Sequence, residues 1–346
     1  MSGIGVLSVN ESHCADSQSY PTLGEYQLGL GSWAIFLYTF SGIAAIILSS
    51  EFCLSAWQFE KSVSKNLLFD TLFVNSVYFV VSLLTLSSIV LPKASSFSWA
   101  LYKIYLGLAM VKFTAIILKL YNDDPKHFVH TITTNSRNIT VESKSQEPED
   151  EFINMRSPPC CFCLFCPTNV RLTSGKMELI RLAIYQMPYV QALCMYLVIS
   201  LNLSGYLQYD DESKNPGVVY FQIIETISFV IALWGIFLFL SITNKYQMGN
   251  NKHFRKKALL FRLLLVLINV QGVVIDILAA LNIIRCNENM SRIAMAAMIK
   301  DSCAVFEVFI LGNLNFLLNM VDFPFEILES WSKGVHQVLY DKEAAK

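Results

Sequence analysis

The chain has 346 residues, of which 54% are hydrophobic and only 15% are charged, and its formal net charge is −1. A soluble domain carries roughly 25% charged residues, so the composition excludes an ordinary soluble protein. The sequence has no basic stripe and no nucleic-acid motif, which excludes a nucleic-acid-binding protein. We therefore predict a membrane protein.

Residues 1–30 contain no Lys or Arg and no continuous apolar core, so they lack the pattern of a cleaved signal peptide. We interpret them as an extracellular N-terminal segment. Asn10 begins the sequon Asn-Glu-Ser, which makes it a candidate glycosylation site on this segment.

Seven apolar stretches follow, each about 20 residues or more, which is the length a helix needs to cross ~30 Å of hydrocarbon. They cover residues 31–50, 71–91, 99–120, 182–204, 217–242, 258–284 and 293–320. Lipid offers the backbone no hydrogen-bond partner, so each stretch must be helical. The predicted fold is an all-α membrane protein, with a bundle of seven transmembrane helices over residues 31–320.

The distribution of Lys and Arg predicts the orientation of the bundle. Seventeen of them fall in the tail and in the loops after odd-numbered helices, against four in the loops after even-numbered helices. The positive-inside rule places the richer side in the cytosol, so the N-terminus is extracellular and the C-terminus cytosolic. In the cytosolic tail, residues 321–346, apolar residues recur at three- and four-residue steps. That spacing predicts an amphipathic helix that lies on the membrane or docks a partner.

The predicted cytosolic loop 121–181 contains a dense group of cysteines, Cys160, Cys161, Cys163 and Cys166, between prolines. Thiols stay reduced in the cytosol, so a disulfide framework is not expected. A two-residue gap occurs in metal knuckles, but a zinc ribbon needs a second, distant knuckle that the sequence lacks. We favour lipidation, because juxtamembrane cysteines among apolar residues are typical palmitoylation sites. On the extracellular side, Cys14 and Cys286 are candidates for a disulfide.

Six ionisable residues lie at bilayer depth, where each costs about 2.5–3.5 kcal/mol. They are Lys112, Glu225, Asp276, Lys300, Asp301 and Glu307. One interpretation is that acids and bases only pair across helices, for instance Lys112 with Glu307 or Asp276. The other, which we prefer for the set, is that they border a path for an amphipathic anion. Asp70 is expected to be close enough to the cytosolic interface to reach water.

Three features resemble the organic solute transporter alpha subunit family: seven helices with the N-terminus outside, the Pro-flanked cysteine run, and the basic-apolar sequence after it. Shorter matches lie at residues 232–234, 257–271 and 306–309, the last including the family's seventh-helix glutamate, here Glu307. The resemblance implies a plasma-membrane carrier for bile-acid-like or sulfated steroids, running downhill in either direction. It also implies a single-pass beta subunit as a partner in a heterodimer.

Two other functions remain open from the sequence. One is a non-transporting membrane scaffold that sorts other proteins. The other is a seven-helix receptor, although the third helix is followed by Asn-Asp-Asp at residues 122–124 and the seventh has no Asn-Pro-x-x-Tyr. An enzyme is not expected, because the chain has no catalytic signature, and no cofactor or metal is predicted.

Overall fold

The computed structural model describes residues 23–119, 152–153, 170–171, 173–204, 216–245, 252–281, 283–284 and 290–322. Almost all of these residues are helical. The helices are α1 (Leu23–Leu30), α2 (Ser32–Ser62), α3 (Lys65–Asn75), α4 (Val77–Val90), α5 (Ser95–Lys119), α6 (Ser174–Leu203), α7 (Pro216–Lys245), α8 (Lys252–Ala280) and α9 (Arg292–Asp322). A short 3₁₀ turn, Pro92–Ala94, links α4 to α5.

Six helical stretches in the described ranges are long and apolar enough to cross a membrane, with α3 and α4 together forming one of them, Lys65–Val90. This confirms a multi-pass, all-helical membrane protein. The remaining predicted span, 293–320, forms the helix α9 but is not among the six, and it carries Lys300, Asp301 and Glu307 in its interior. α9 nevertheless packs along α2, α4 and α8.

Several helices are longer than the predicted apolar stretches. α2 continues past residue 50 to Ser62, and α6 begins at Ser174 instead of residue 182. The physical reason is that hydropathy falls at the first charged residues, whereas backbone hydrogen bonds continue through the interfacial region. α8, in contrast, ends at Ala280, short of residue 284.

Apolar side chains cover both the inside and the outside of the helices. The main core is formed by side chains of several helices. Tyr78 of α4, Met110 of α5, Ile184 of α6, Phe239 of α7 and Val308 of α9 belong to it, all at most 5% exposed. Large apolar residues also face outward on several helices, among them Ile46, Ile223 and Ile277. A helix that is apolar all round is typical of a membrane environment.

Two glycines allow α5, α6 and α7 to approach one another closely. A Cβ on Gly107 of α5 would lie 3.2 Å from Cα of Pro188, the proline inside α6. A Cβ on Gly235 of α7 would lie 2.9 Å from Cγ1 of Ile184 and 3.2 Å from the carbonyl oxygen of Ile180. Small residues allow transmembrane helices to approach at this distance, so these two positions bring α5, α6 and α7 together.

Two short strands, β1 (Phe152–Ile153) and β2 (Val170–Arg171), were not predicted from the sequence. They pair antiparallel, Phe152 opposite Arg171 and Ile153 opposite Val170. The pairing joins the two ends of the segment that contains the clustered cysteines. That segment itself, like the other predicted modification sites and the tail, lies outside the described residues: Asn10, Cys14, Cys160, Cys161, Cys163, Cys166, Cys286 and residues 323–346.

Candidate functional site

Charged side chains within the helices form two clusters toward opposite ends of α5. The Asp70 cluster consists of Asp70 on α3 and of Lys112 and Lys119 near the end of α5. The Trp99 cluster surrounds the beginning of α5 and consists of Ser88, Trp99, Tyr102, Asp276, Lys300 and Asp301.

In the Asp70 cluster, one carboxylate binds two lysines. Oδ1 of Asp70 lies 2.8 Å from Nζ of Lys112, and Oδ2 lies 2.7 Å from Nζ of Lys119. The lysines are seven residues apart on α5, which puts them on one face two turns apart. The Asp70 side chain is 2% exposed and each lysine side chain 34%. The expectation that Asp70 reaches water was wrong, because the two lysines cover it.

Among the described residues, the Asp70 cluster has an excess of positive charge, since two lysines share one carboxylate. Lys112 pairs with Asp70. The pairing with Glu307 or Asp276 that one interpretation of the sequence predicted does not form. Nζ of Lys112 also lies 5.0 Å from the centre of the Phe69 ring, an aromatic side chain that is 65% exposed. The cluster thus offers a partly accessible cation beside an accessible apolar surface.

The Trp99 cluster is built around Asp301, which is 3% exposed. Its Oδ1 accepts a hydrogen bond of 2.7 Å from Nε1 of Trp99, and its Oδ2 accepts one of 2.6 Å from the hydroxyl of Ser88. These bonds connect α9 to α5 and α4. Two good donors compensate part of the cost of burying a carboxylate.

Lys300 and Asp276 form an ion pair between α9 and α8 at the side of this cluster. Nζ of Lys300 also lies 5.4 Å from the Trp99 ring centre. Tyr102 packs edge-on against Trp99, with 4.7 Å between ring centroids. The Tyr102 side chain is buried, and among the described residues its hydroxyl has no hydrogen-bond partner.

Glu307 and Glu225 have different surroundings. Glu307 on α9 lies beside the side-chain amide of Gln271 on α8. Beyond this neighbour, neither Oε2 of Glu307 nor Nε2 of Gln271 has a hydrogen-bond partner within the described part of the chain. Glu225 on α7 pairs with Lys103 of α5, with 3.0 Å between Oε2 and Nζ. Four of the six predicted path residues, Lys112, Glu225, Asp276 and Lys300, are therefore in ion pairs.

Amide side chains add a further link between helices. Oδ1 of Asn75 accepts hydrogen bonds from Nδ2 of Asn315 at 2.7 Å and of Asn319 at 3.1 Å. These bonds join α3 to α9, as expected of polar residues inside a bundle. Across the ranges the structure describes, no group of three or more His, Cys, Asp or Glu side chains could hold a metal ion.

Sequence reasoning missed Asp70, Trp99 and Tyr102 as members of these clusters. The seven-residue spacing of Lys112 and Lys119 was a usable signal for Asp70, because two lysines on one buried face require a counter-ion. For Trp99 and Tyr102 the sequence carried no comparable signal, since aromatic residues are common at membrane interfaces.

Comparison with known proteins agrees with a membrane transport function. Residues 33–318 match the family described as Organic solute transporter Ostalpha. The chain is 21% identical over 271 residues to the organic solute transporter alpha-like protein of Drosophila melanogaster, covering 78% of this chain and 75% of that protein. No solved structure matches the chain.

Two organic solute transporter alpha subunits are also similar. The protein of Leucoraja erinaceus is 22% identical over 68% of this chain and 61% of its own length. The protein of Danio rerio is 19% identical over 79% of this chain and 77% of its own length. Since the family match spans most of the chain, the protein belongs to the organic solute transporter Ostalpha family, whose members are membrane transporter subunits and not enzymes.

Proposed function

We propose that the chain moves amphipathic organic anions, bile-acid-like or sulfated steroids, across the plasma membrane by facilitated diffusion. The observation that supports this proposal is that, among the described residues, two lysines share the one carboxylate of Asp70, near the beginning of the span Lys65–Val90 and the end of the span Ser95–Lys119. An unpaired cation costs about 2.5–3.5 kcal/mol at the centre of a transmembrane helix, and Lys112 lies two turns inside the end of its span. An anionic solute would neutralise it, which gives a reason for the second lysine that helix packing alone does not.

The proposed path borders on the six predicted residues, Lys112, Glu225, Asp276, Lys300, Asp301 and Glu307. Lys112 meets the carboxylate or sulfate of the solute. The ion pairs Lys103–Glu225 and Lys300–Asp276 keep the remaining charges neutral when no solute is present. Glu307 of α9 and Gln271 of α8, which lie beside each other, supply hydrogen bonds to the polar groups of the passing solute.

The proposed topology has seven transmembrane helices, with α9 as the seventh, the N-terminus outside and the C-terminus in the cytosol. α9 contacts three other helices of the bundle along its length. This supports α9 as a membrane-spanning helix despite its charged residues. Asn10 is glycosylated and Cys14 pairs with Cys286 on the outside. On the cytosolic side Cys160, Cys161, Cys163 and Cys166 carry acyl chains.

The chain works with a single-pass beta subunit as a heterodimer. The names of two relatives describe them as alpha subunits, which supports a partner of a second type. Outward-facing apolar side chains on several helices give a single apolar helix a surface to pack on.

Tracer flux into vesicles tests the proposal. We expect estrone sulfate to move down its gradient when the chain and a beta partner are both present, without sodium or ATP. Lys112→Ala, Lys300→Ala and Glu307→Gln should each reduce this flux, whereas Lys61→Gln, at the exposed end of α2, should not. Flux that is absent with every beta partner would refute the transport function, and flux unchanged in all three variants would refute the path.

A further inference from the structure

We infer that the face between α3 and α5, formed by Lys112, Lys119, Phe69, Phe73 and Tyr105, is a binding site for the solute. The ligand is an amphiphile with one carboxylate or sulfate and a rigid apolar body. This inference rests on the proposed function and adds to it a position and an orientation for the bound molecule.

The charged end of the site is the Asp70 cluster. Asp70 neutralises one of its two lysines, and it is covered while the lysine side chains remain one-third exposed. Nζ of Lys112 donates to Asp70, and Nζ of Lys119 donates to Asp70 and, at 3.3 Å, to the carbonyl oxygen of Asn66. Because each ammonium has three donors, both lysines retain at least one donor beyond these bonds to described residues. A carboxylate or sulfate that reaches both lysines makes charge-assisted hydrogen bonds and leaves the whole group neutral.

The apolar end of the site is a series of three aromatic rings. Phe69 is 65% exposed beside Lys112, its ring centroid lies 6.3 Å from that of Phe73, and Phe73 stacks on Tyr105 at 4.7 Å. The hydroxyl of Tyr105 is bonded to that of Ser76 at 2.6 Å. Lys112 and Tyr105 are seven residues apart, about 10 Å along α5. The Phe69 and Phe73 planes are inclined by 44° and those of Phe73 and Tyr105 by 23°, so the rings form a row of apolar contacts that extends from the cation along the bundle.

A structural ion pair alone does not account for this arrangement. A carboxylate needs one lysine for neutrality, and a second lysine beside it adds repulsion between the two ammonium groups. Phospholipid headgroups could supply an anion, but their flexible acyl chains gain less from a row of aromatic rings than a rigid apolar body does, so we assign the site to the solute.

Equilibrium binding of tritiated estrone sulfate to the purified chain in phosphatidylcholine nanodiscs tests the site without requiring transport. Lys112→Gln should weaken binding about tenfold, the loss of one charge-assisted hydrogen bond. Lys112→Arg should bind like the wild type. Asp70→Asn should bind more tightly, because it raises the net charge of the cluster, and Asp70→Asn with Lys112→Gln should return to the wild-type value. Phe69→Ala should weaken binding of both estrone sulfate and estrone.

Lys61→Gln and Trp57→Ala are the matched controls. Nζ of Lys61 lies 3.5 Å from the Trp57 ring centre, and Trp57 is 61% exposed, so the pair repeats a cation on an accessible ring. Both should leave binding unchanged. Binding that falls equally in Asp70→Asn and Lys112→Gln would indicate a structural pair and overturn the inference, as would a Lys112→Gln variant that binds like the wild type.

Two further experiments distinguish solute from lipid as the source of the anion, and distinguish this site from the proposed transport function. Phosphatidylserine in the nanodisc should leave estrone sulfate binding within twofold, and complete displacement by it would assign the site to lipid. Flux that is present while binding is insensitive to Lys112 and Asp70 would overturn this site and leave the transport function standing. Binding of the expected pattern without flux would overturn the transport function and leave this site standing.

Discussion

The indole nitrogen of Trp99 donates a hydrogen bond of 2.7 Å to Oδ1 of Asp301, joining the beginning of α5 to the middle of α9. Trp99→Phe removes this donor and leaves Ser88 as the side chain bonded to a carboxylate that is 3% exposed. We expect the protein to lose about 1–3 kcal/mol of stability. Thermal unfolding in detergent, followed by size-exclusion fluorescence, measures the change.

Trp33→Phe is the control for this substitution, because Trp33 is 44% exposed. It should leave the melting temperature unchanged. If Trp99→Phe has the same melting temperature as the control, the bond does not stabilise the contact between α5 and α9.

The two glycines Gly235 and Gly42 should respond in opposite ways to alanine. At Gly235 the new Cβ would lie 3.2 Å from the backbone oxygen of Ile180, so α6 and α7 must separate, at a cost of about 1–3 kcal/mol. At Gly42 of α2 nothing lies within 4 Å, and alanine should stabilise the helix by up to about 1 kcal/mol. Equal melting temperatures for the two variants would contradict the close packing of α6 on α7.

Glycosylation of Asn10 would place the N-terminus outside. We expect glycosidase treatment of the protein from mammalian cells to increase its mobility on a gel, and Asn10→Gln to have the same mobility without treatment. Asn138→Gln, in the predicted cytosolic loop, is the control and should retain the shift. A wild-type protein that is insensitive to the glycosidase would leave the predicted orientation without this support.

Acylation of the cysteine run should be visible as a mass-tag shift. Replacement of acyl groups by a polymer tag should retard the wild-type protein, and the fourfold variant Cys160, Cys161, Cys163 and Cys166→Ser should not be retarded. Cys53→Ser is the control, since Cys53 is a free, exposed thiol on α2. A shift that persists in the fourfold variant would move the modification to another cysteine.

Sequence spacing predicted which charged residues share a helix face, but not what lies opposite that face. Lys112 and Lys119, seven apart, both bind Asp70, and Lys300 and Glu307, seven apart, both face α8, toward Asp276 and Gln271. These faces follow from the periodicity of one helix.

The partners depend on how helices distant in the sequence are brought together. Asp70 was interpreted as close to water because hydropathy gives the depth of a residue and not its neighbours. The contact between α3 and α5 that covers Asp70 requires the tertiary structure. For the same reason, the bond between Trp99 and Asp301, which are 202 positions apart, left no trace in the local pattern.

The pairing of β1 with β2 limits where the cysteine segment can go. Each cysteine of the run is at most eight residues from Ile153 or Val170, so no thiol can move more than about 30 Å from this anchor. Because Ser174 begins α6 shortly after β2, acyl chains on these thiols would enter the bilayer next to α6. The attached acyl chains would then lie at one fixed place on the perimeter of the bundle. A single-pass partner would have to approach from another side or bind through these chains.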